Sequence, residues 1–279
     1  MSPTDPAMIS GTEPMTTATG NMPPSLSFKR ISRMFESREG EEITALQDVD
    51  LAVAKGEFVA VVGPSGCGKS TLLALAAGLD APTAGSVRVD GTALNEPRRG
   101  VATVFQNDHL LPWRTIEDNI LLPLELRGTI DAQHRRAAAD LLKQVGLAQF
   151  GRKYPHELSG GMRQRAAICR ALIQQPELLL MDEPFGALDA LTREQMIADL
   201  QTLWLTRGNS VLFITHGIEE AVFLADRVIV MSPRPGRIVL EVNITLPRPR
   251  KWSAVHDTPE FQRFIRVIRE TFEQQGIIH

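Results

Sequence analysis

The chain has 279 residues, of which 43% are hydrophobic and 23% are charged, and its formal net charge is -3 with a pI near 6.1. This composition is ordinary for a globular protein of one large or two small domains, and the slight acidity argues against a nucleic-acid-binding protein. No apolar run reaches the roughly 18 residues of a membrane-spanning helix. The N-terminus lacks a basic segment followed by an apolar one, so no secretory signal is expected.

The first segment in chain order, residues 1–25, is rich in Ser, Thr, Pro, Gly and Met, and we expect a disordered tail there. From Leu26 onward, apolar runs of strand length recur: "EFVAVVG", "GVATVFQ", "ELLLMDE", "SVLFITH" and "DRVIVMS". Such near-continuous runs are typical of strands buried on both faces of a parallel sheet. Helical stretches near 71–79, 190–206 and 217–225 separate them, which predicts an α/β fold.

One region interrupts this alternation. Residues 107–175 have helical patterns at about 115–127, 131–145 and 161–174 and no strand pattern. We therefore expect a helical subdomain inserted between two strands of the sheet. After a main domain over residues 26–240, residues 241–279 are expected to form a short C-terminal tail with an amphipathic helix near 258–274.

The strongest motif is "GPSGCGKST", which fits the P-loop pattern G-x-x-x-x-G-K-[ST] and follows the apolar run "EFVAVV". Gly66 and Gly68 let backbone N–H groups turn inward to hold phosphate oxygens, and the next helix adds its positive end. Lys69 would contact the β- and γ-phosphates, and the hydroxyl of Ser70 would bind Mg²⁺. The expected nucleotide-binding residues are Gly63, Pro64, Ser65, Gly66, Cys67, Gly68, Lys69, Ser70 and Thr71.

Polar residues also end three other predicted strands. "ELLLMDE" ends in Asp182, which suits a Mg²⁺ shell, and Glu183, which suits orienting or deprotonating an attacking water. "GVATVFQ" ends in Gln106 and "SVLFITH" ends in His216, and a histidine in such a place is more often structural. Because ligands bind at the carboxyl edge of open parallel sheets, the convergence of four strand ends favours functional roles for Gln106 and His216.

A second glycine motif, "LSGGMRQR", begins at residue 158. Ser159 is a good helix N-cap, while Gly160 and Gly161 permit a nest of inward N–H groups. The following helix is expected to end before Pro176. The motif by itself predicts either an ordinary capped helix or an anion site without a lysine of its own.

The P-loop, Gln106, LSGG, the Asp182–Glu183 pair, "ALD" at 187–189 and His216, in this order, resemble the nucleotide-binding subunit of ABC transporters. The resemblance covers roughly residues 26–240. It implies an ABC-type P-loop ATPase with a mainly parallel sheet core and a helical subdomain. It also implies that the chain binds ATP and Mg²⁺.

The same resemblance implies roles for the site residues. The metal ligands would be Ser70, Gln106 and Asp182, and the catalytic residues would be Glu183, His216 and Gln106. Two subunits pair head to tail in this family, so a homodimer is expected. In it, the partner's ATP would be contacted by Ser159, Gly160, Gly161 and Asp189.

Two further positions depend on the resemblance. Phe35, in "ISRMFES", is the nearest upstream aromatic and would stack on adenine, although a phenylalanine on a strand face is the alternative. The family commonly has Asp after the switch histidine, whereas this chain has Gly217, a slightly weaker helix N-cap.

Several stretches, including "FQNDHLLPWRTIEDNI" and "EEAVFLADRVIVMSPRPGRI", resemble the nitrate/sulfonate/taurine importers, and most of all the taurine members. In that subfamily Leu111, Pro112 and Trp113 would dock on two permease subunits, although a loop packed on its own subdomain is the alternative. The subunit would lie peripherally on the cytoplasmic face of the cell inner membrane, with an extracytoplasmic solute-binding protein completing the complex. Importers of pyrimidine or thiamine precursors remain open.

Other classes fit the sequence less well. A repair ATPase would carry a long inserted coiled coil, and a translation-type ABC protein would usually carry two ATPase units. A small-molecule kinase would leave LSGG, Gln106 and His216 unexplained. An exporter subunit is closer and would be distinguished by the permease with which it co-purifies.

Overall fold

The structure is a computed structural model and describes residues 22–36, 40–186 and 188–277. Its strands are β1 (Leu26–Glu36), β2 (Glu42–Val53), β3 (Phe58–Val62), β4 (Ala84–Val89), β5 (Thr92–Ala93), β6 (Val101–Val104), β7 (Leu178–Asp182), β8 (Ser210–Thr215), β9 (Arg227–Met231) and β10 (Ile238–Asn243). Its helices are α1 (Lys69–Ala76), α2 (Ile116–Glu125), α3 (Ala132–Gln144), α4 (Gly160–Leu172), α5 (Ala190–Arg207), α6 (Ile218–Leu224), α7 (Trp252–Val255) and α8 (Pro259–Gln274).

The central sheet has six strands in the order β10-β9-β3-β8-β7-β6. The five strands from β9 to β6 are parallel and coincide with the five apolar runs of the sequence, while β10 pairs antiparallel with β9. Along β3, Phe58 and Ala60 face one hydrophobic cluster and Val59 and Val61 face the other. Burial on both faces explains why these strands carry no polar alternation.

A second sheet of four antiparallel strands, in the order β2-β1-β4-β5, was not predicted from the sequence. Its apolar face packs with Leu72, Leu73 and Leu75 of α1 in the cluster on one side of the central sheet. The pairing of β1 and β2 shifts register three times between Phe28 and Met34. Such irregularities break the two-residue period by which a half-buried strand is recognised in sequence.

The helical segment between β6 and β7 contains α2, α3 and α4, close to the three expected ranges. Their buried faces meet through residues such as Ile120, Leu141 and Ile168, in the hydrophobic cluster that also covers β3. The three helices therefore pack on one another and on the sheet.

The C-terminal segment packs on the domain. The expected helix near 258–274 is α8, where Thr258 is the N-cap and Pro259 takes the first helical position. Its apolar face is buried in the core cluster: Phe261, Phe264, Ile265, Ile268 and Phe272. The predicted boundary at residue 240 falls inside β10, so the first residues of the C-terminal segment still belong to the central sheet.

The predicted N-terminal tail has only its last residues in the described part, because residues 1–21 lie outside it. At the end of that range, Ser25 is buried and its hydroxyl shares a hydrogen bond of 2.7 Å with that of Ser210. Over the described residues, none of the helices combines the length and the apolarity that crossing a bilayer requires.

Candidate functional site

The P-loop connects β3 to α1 and is held from the side by β2. Gly68, the N-cap of α1, has a φ of 101°, a conformation that favours glycine. A Cβ at this position would lie 2.8 Å from the carbonyl oxygen of Ala45 and 2.7 Å from Cδ2 of Leu46. Both the backbone angle and this close approach therefore require glycine, and they fix the loop against β2.

Lys69 is the buried cation of this loop, with 6% of its surface exposed. Its Nζ donates hydrogen bonds to the carbonyl oxygens of Gly63 (2.8 Å) and Pro64 (3.0 Å). The same atom lies 4.0 Å from Oε1 of Glu183 at the end of β7. The ammonium group thus bridges the P-loop and the strand that carries the acidic pair.

Ser70 and Asp182 face each other across the same edge, and the Ser70 hydroxyl donates to Oδ1 of Asp182 at 3.4 Å. Burial raises the pKa of Asp182, and the hydrogen bond from Ser70 partly opposes that effect. A half-buried carboxylate beside a hydroxyl is a donor set that suits Mg²⁺. Among the described residues no three His, Cys, Asp or Glu side chains cluster as a metal site.

Glu183 occupies a strained backbone position, with a φ of 43°, and its N–H donates to the carbonyl oxygen of Ile214 at 2.8 Å. Its Oε2 lies 3.4 Å from Nδ1 of His216, the residue that follows β8. Since His216 has a half-exposed side chain, it is accessible from solvent. Lys69, Glu183 and His216 therefore form a continuous row of charged or titratable groups.

A cavity of about 420 Å³ opens over the P-loop and includes Gln106 and Phe35 in its lining. Nε2 of Gln106 and Oε2 of Glu183 lie 3.7 and 3.9 Å from where a Cβ on Gly186 would project, so both side chains approach the turn after β7. Phe35 is 39% exposed at the end of β1. Its ring is covered by the guanidinium of Arg33, whose Cζ lies 4.5 Å from the ring centroid.

The LSGG motif forms the start of α4, where Oγ of Ser159 accepts a hydrogen bond from the N–H of Met162. A Cβ on Gly161 would lie 2.5 Å from Cγ2 of Thr192 in the first turn of α5. The N-cap of α5 is Asp189, and its side-chain hydrogen bond with Thr192 lowers the pKa of the Asp189 carboxyl. Ser159 and Asp189 thus cap two helices that touch at their first turns, and neither residue lines the P-loop cavity.

Gly217, the departure from the family pattern, is the N-cap of α6 and makes no side-chain capping hydrogen bond. A Cβ there would lie 2.8 Å from Cδ of Glu220, which folds back over the start of α6. The carboxylate of Glu220 is buried, accepts from the hydroxyl of Thr215 at 2.6 Å and lies 3.6 Å from Nε of Arg193. A Cβ at position 217 would therefore require the Glu220 side chain to shift. Burial raises the pKa of the Glu220 carboxyl.

The "LLPW" loop before α2 is fixed by one buried side chain, Asn119. Its Oδ1 accepts from the N–H of Leu111 at 2.6 Å, and its Nδ2 lies within 3.1 Å of the carbonyl oxygens of Leu111, Arg114 and Thr115. Pro112 is exposed, and Trp113 is 71% exposed. The loop therefore presents a large aromatic side chain on a rigid support.

Helix α4 holds the segment just before this loop. The guanidinium of Arg163 donates to Oδ2 of Asp108 at 2.9 Å and to the carbonyl oxygen of Leu158 at 2.8 Å. Arg170 donates to the carbonyl oxygens of Asp108 and His109. The exposed loop is thus tied to the helix that begins with LSGG.

The match to a known family agrees with this geometry. The family profile described as ABC transporter matches residues 46–186, which include the P-loop, Gln106, LSGG and the Asp182–Glu183 pair. The chain belongs to the ABC transporter family. As a member it is an ABC-type ATPase with the expected P-loop α/β fold.

Two curated relatives of this ABC ATPase cover most of its length. The taurine import ATP-binding protein TauB of Yersinia pestis bv. Antiqua is 46% identical over 239 residues, which is 84% of this chain and 94% of that protein. The nitrate import ATP-binding protein NrtD of Synechocystis sp. is 47% identical over 263 residues, which is 90% of this chain and 98% of that protein. These matches confirm the predicted family and its importer branch.

A solved structure also resembles this ABC ATPase. The ATP-binding cassette MJ0796, in a dimeric post-hydrolysis state bound to ADP and Pi, aligns with a TM-score of 0.70 and 34% identity. The alignment covers 80% of this chain and all of that one. It confirms the fold class predicted from the sequence.

Proposed function

We propose that the chain is the ATP-hydrolysing subunit of an ABC importer, and that closure of a dimer around ATP drives transport. The observation that carries the proposal is the row formed by Lys69, Glu183 and His216, in which successive groups are 4.0 and 3.4 Å apart. Three parallel strands place these groups at one edge of the sheet, beside a cavity of about 420 Å³. This arrangement suits phosphate binding next to a proton acceptor.

The roles of the site residues follow from their chemistry. Lys69 and the P-loop N–H groups hold the phosphates, while Glu183 orients the attacking water and takes up its proton. His216 and Gln106 contact the reacting end of the nucleotide, and Phe35 stacks on the adenine. When bound, Mg²⁺ would be held by Ser70, Asp182 and Gln106 and would neutralise charge that develops on the phosphates.

We further propose that two copies pair head to tail, so that Ser159, Gly160, Gly161 and Asp189 act on the ATP of the partner copy. These residues do not line the P-loop cavity of their own chain, which supports a role at a second surface. The structural relative MJ0796 is described as a dimer. The closed pair would contain two nucleotides, and each site would be completed by the other copy.

The remaining partners are two permease subunits, which dock at Leu111, Pro112 and Trp113, and an extracytoplasmic solute-binding protein. The subunit would act at the cytoplasmic face of the inner membrane as a peripheral protein. The cargo is proposed to be taurine, an aliphatic sulfonate or nitrate, since the relatives are named for taurine and nitrate import. Calorimetry on the companion binding protein with taurine, alkanesulfonates, nitrate and pyrimidines tests that choice.

The substitution Lys69→Ala tests the nucleotide site. We expect ATP turnover to fall at least about 100-fold and ATP binding to weaken, because the buried ammonium is the main cation of the P-loop. The matched control is Lys153→Ala, which removes an exposed lysine paired with Glu157 in the helical subdomain. Turnover in Lys69→Ala equal to that of the wild type would refute the site assignment.

The substitution Trp113→Ala tests the docking surface. We expect loss of permease co-purification with little change in ATP affinity, since Trp113 is 71% exposed and Asn119 holds the loop without it. The control is Leu126→Ala at the end of α2, where the side chain is 80% exposed. A parallel fall in permease binding and ATP affinity would indicate a folding defect instead.

A further inference from the structure

The loop between β9 and β10, residues 232–237, carries a feature that the ATP-site motifs do not include. It follows β9, a parallel strand, at the sheet edge where ligands bind. The loop is tied internally by Ser232, whose Oγ lies within 3.0 Å of the carbonyl oxygens of Pro233 and Pro235 and accepts from the N–H of Arg237. Its shape is therefore set by its own hydrogen bonds.

The loop also packs closely against the P-loop and the neighbouring strand β2. Gly236 donates its N–H to the carbonyl oxygen of Ala45 at 2.9 Å and accepts from the N–H of Gln47 at 3.0 Å. A Cβ on Gly236 would lie only 1.9 Å from the carbonyl oxygen of Cys67. Since the two backbones touch, the position of the loop is fixed relative to the phosphate-binding turn.

Arg234 extends from this loop into the lining of the P-loop cavity, together with Phe35, Lys69 and Gln106. Its Nε and Nη2 atoms each lie 3.4 Å from the carbonyl oxygen of Gly66. Within the described ranges no carboxylate oxygen lies within 4.0 Å of its guanidinium. The cavity thus contains a second cation, and in the described part of the chain its hydrogen-bond partner is a neutral carbonyl oxygen at a long distance.

We propose that Arg234 is a nucleotide-binding residue that donates to phosphate oxygens of ATP and ADP from the open side of the P-loop. A guanidinium presents several N–H donors in a planar fork that matches phosphate, and its hydrogen bonds to an anion exceed those to a neutral carbonyl. On nucleotide binding, the long contact to the carbonyl oxygen of Gly66 would be replaced by hydrogen bonds to the phosphate. This inference rests on the proposed ATPase function and adds a residue outside the P-loop to the same site.

The test is the affinity of purified full-length protein for MgATP and MgADP, measured by calorimetry, with the substitutions Arg234→Ala and Arg237→Ala. We expect Arg234→Ala to weaken both affinities about tenfold, the effect of one charge-assisted hydrogen bond at an exposed site. The control Arg237→Ala removes a guanidinium of the same loop, one that contacts Gln47 and not Gly66. The affinities of this variant for MgATP and MgADP should stay within about twofold of wild type. Arg234→Lys should recover part of the loss and Arg234→Gln should not.

Three results would overturn the inference. These are an unchanged affinity in Arg234→Ala, an equal loss in Arg237→Ala, or a changed preference for ATP over GTP without loss of affinity, which would indicate contact with the base. The unfolding midpoint without nucleotide should be the same in both alanine variants. If the wild type itself failed to bind ATP, the proposed function would fail, whereas wild-type binding with an unaffected Arg234→Ala would remove only this inference.

Discussion

Replacement of Glu183 by Gln is expected to lower the rate of ATP hydrolysis about 100- to 10,000-fold while ATP still binds. That range is typical for the loss of a general base. The amide keeps the size and most of the contacts of the carboxylate, but it cannot accept the proton of the attacking water at neutral pH. Because Lys69 lies 4.0 Å away and its other contacts are to the P-loop, the phosphate cradle should stay intact. Single-turnover kinetics would report the hydrolytic step directly.

The same variant should accumulate as an ATP-bound dimer, because hydrolysis no longer resets it. Size-exclusion chromatography with Mg-ATP is the measurement, and Glu241→Gln, an exposed carboxylate on the edge strand β10, is the control. A monomer alone in Glu183→Gln would exclude the nucleotide sandwich for the isolated subunit. Near-normal hydrolysis would assign the base to another group.

The substitution Arg250→Met is expected to lower the free energy of unfolding by about 3–5 kcal/mol. Arg250 is 3% exposed and donates to the carbonyl oxygens of Val222, Phe223 and Ala225 at the end of α6, at 2.8–3.0 Å. Burial lowers the pKa of its guanidinium to about 10, so it stays protonated at neutral pH. Methionine would keep much of the packing but leave these buried carbonyls without donors.

Urea denaturation measures this effect as a lower midpoint with an unchanged slope. Arg266→Met, in an exposed position of α8, should change the stability by less than about 0.5 kcal/mol. A midpoint for Arg250→Met equal to that of the control would mean that water satisfies the carbonyls after the change. A catalytic defect without loss of stability would contradict the capping role as well.

The elements that the sequence predicted well are those with strong local patterns. The runs around Leu178–Asp182 and Ser210–Thr215 are buried, and each is followed directly by a residue whose chemistry is apparent from its type, Glu183 and His216. Because parallel strands end at the same edge of the sheet, their order alone predicts that Lys69, Glu183 and His216 lie together. The four-stranded antiparallel sheet was missed because its register shifts remove the alternation that would have identified it.

The residues that were missed act across long sequence separations. Arg234 meets Gly66 from 168 positions away, and the side-chain amide of Gln201 bonds the backbone N–H and carbonyl groups of Arg250 across 49 positions. No local sequence motif predicts a contact of this kind. Arg234 reaches the nucleotide site only because its loop packs against the P-loop. The sequence predicts Gly217 as a weaker helix cap, and the structure agrees, since this N-cap makes no side-chain hydrogen bond. Its close approach to the buried side chain of Glu220 is visible only in the fold.

The hydrogen bonds from Arg250 to the end of α6 have a practical consequence for where this domain ends. All nucleotide-site motifs lie before residue 240, yet α6, two residues beyond His216, depends on Arg250 for its last carbonyls. The apolar face of α8 adds five buried side chains to the same core. A truncation that kept every motif but stopped at β10 would uncover Phe223 and leave α6 frayed. We therefore expect the shortest segment that folds on its own to extend through α8 rather than to end at the last catalytic residue.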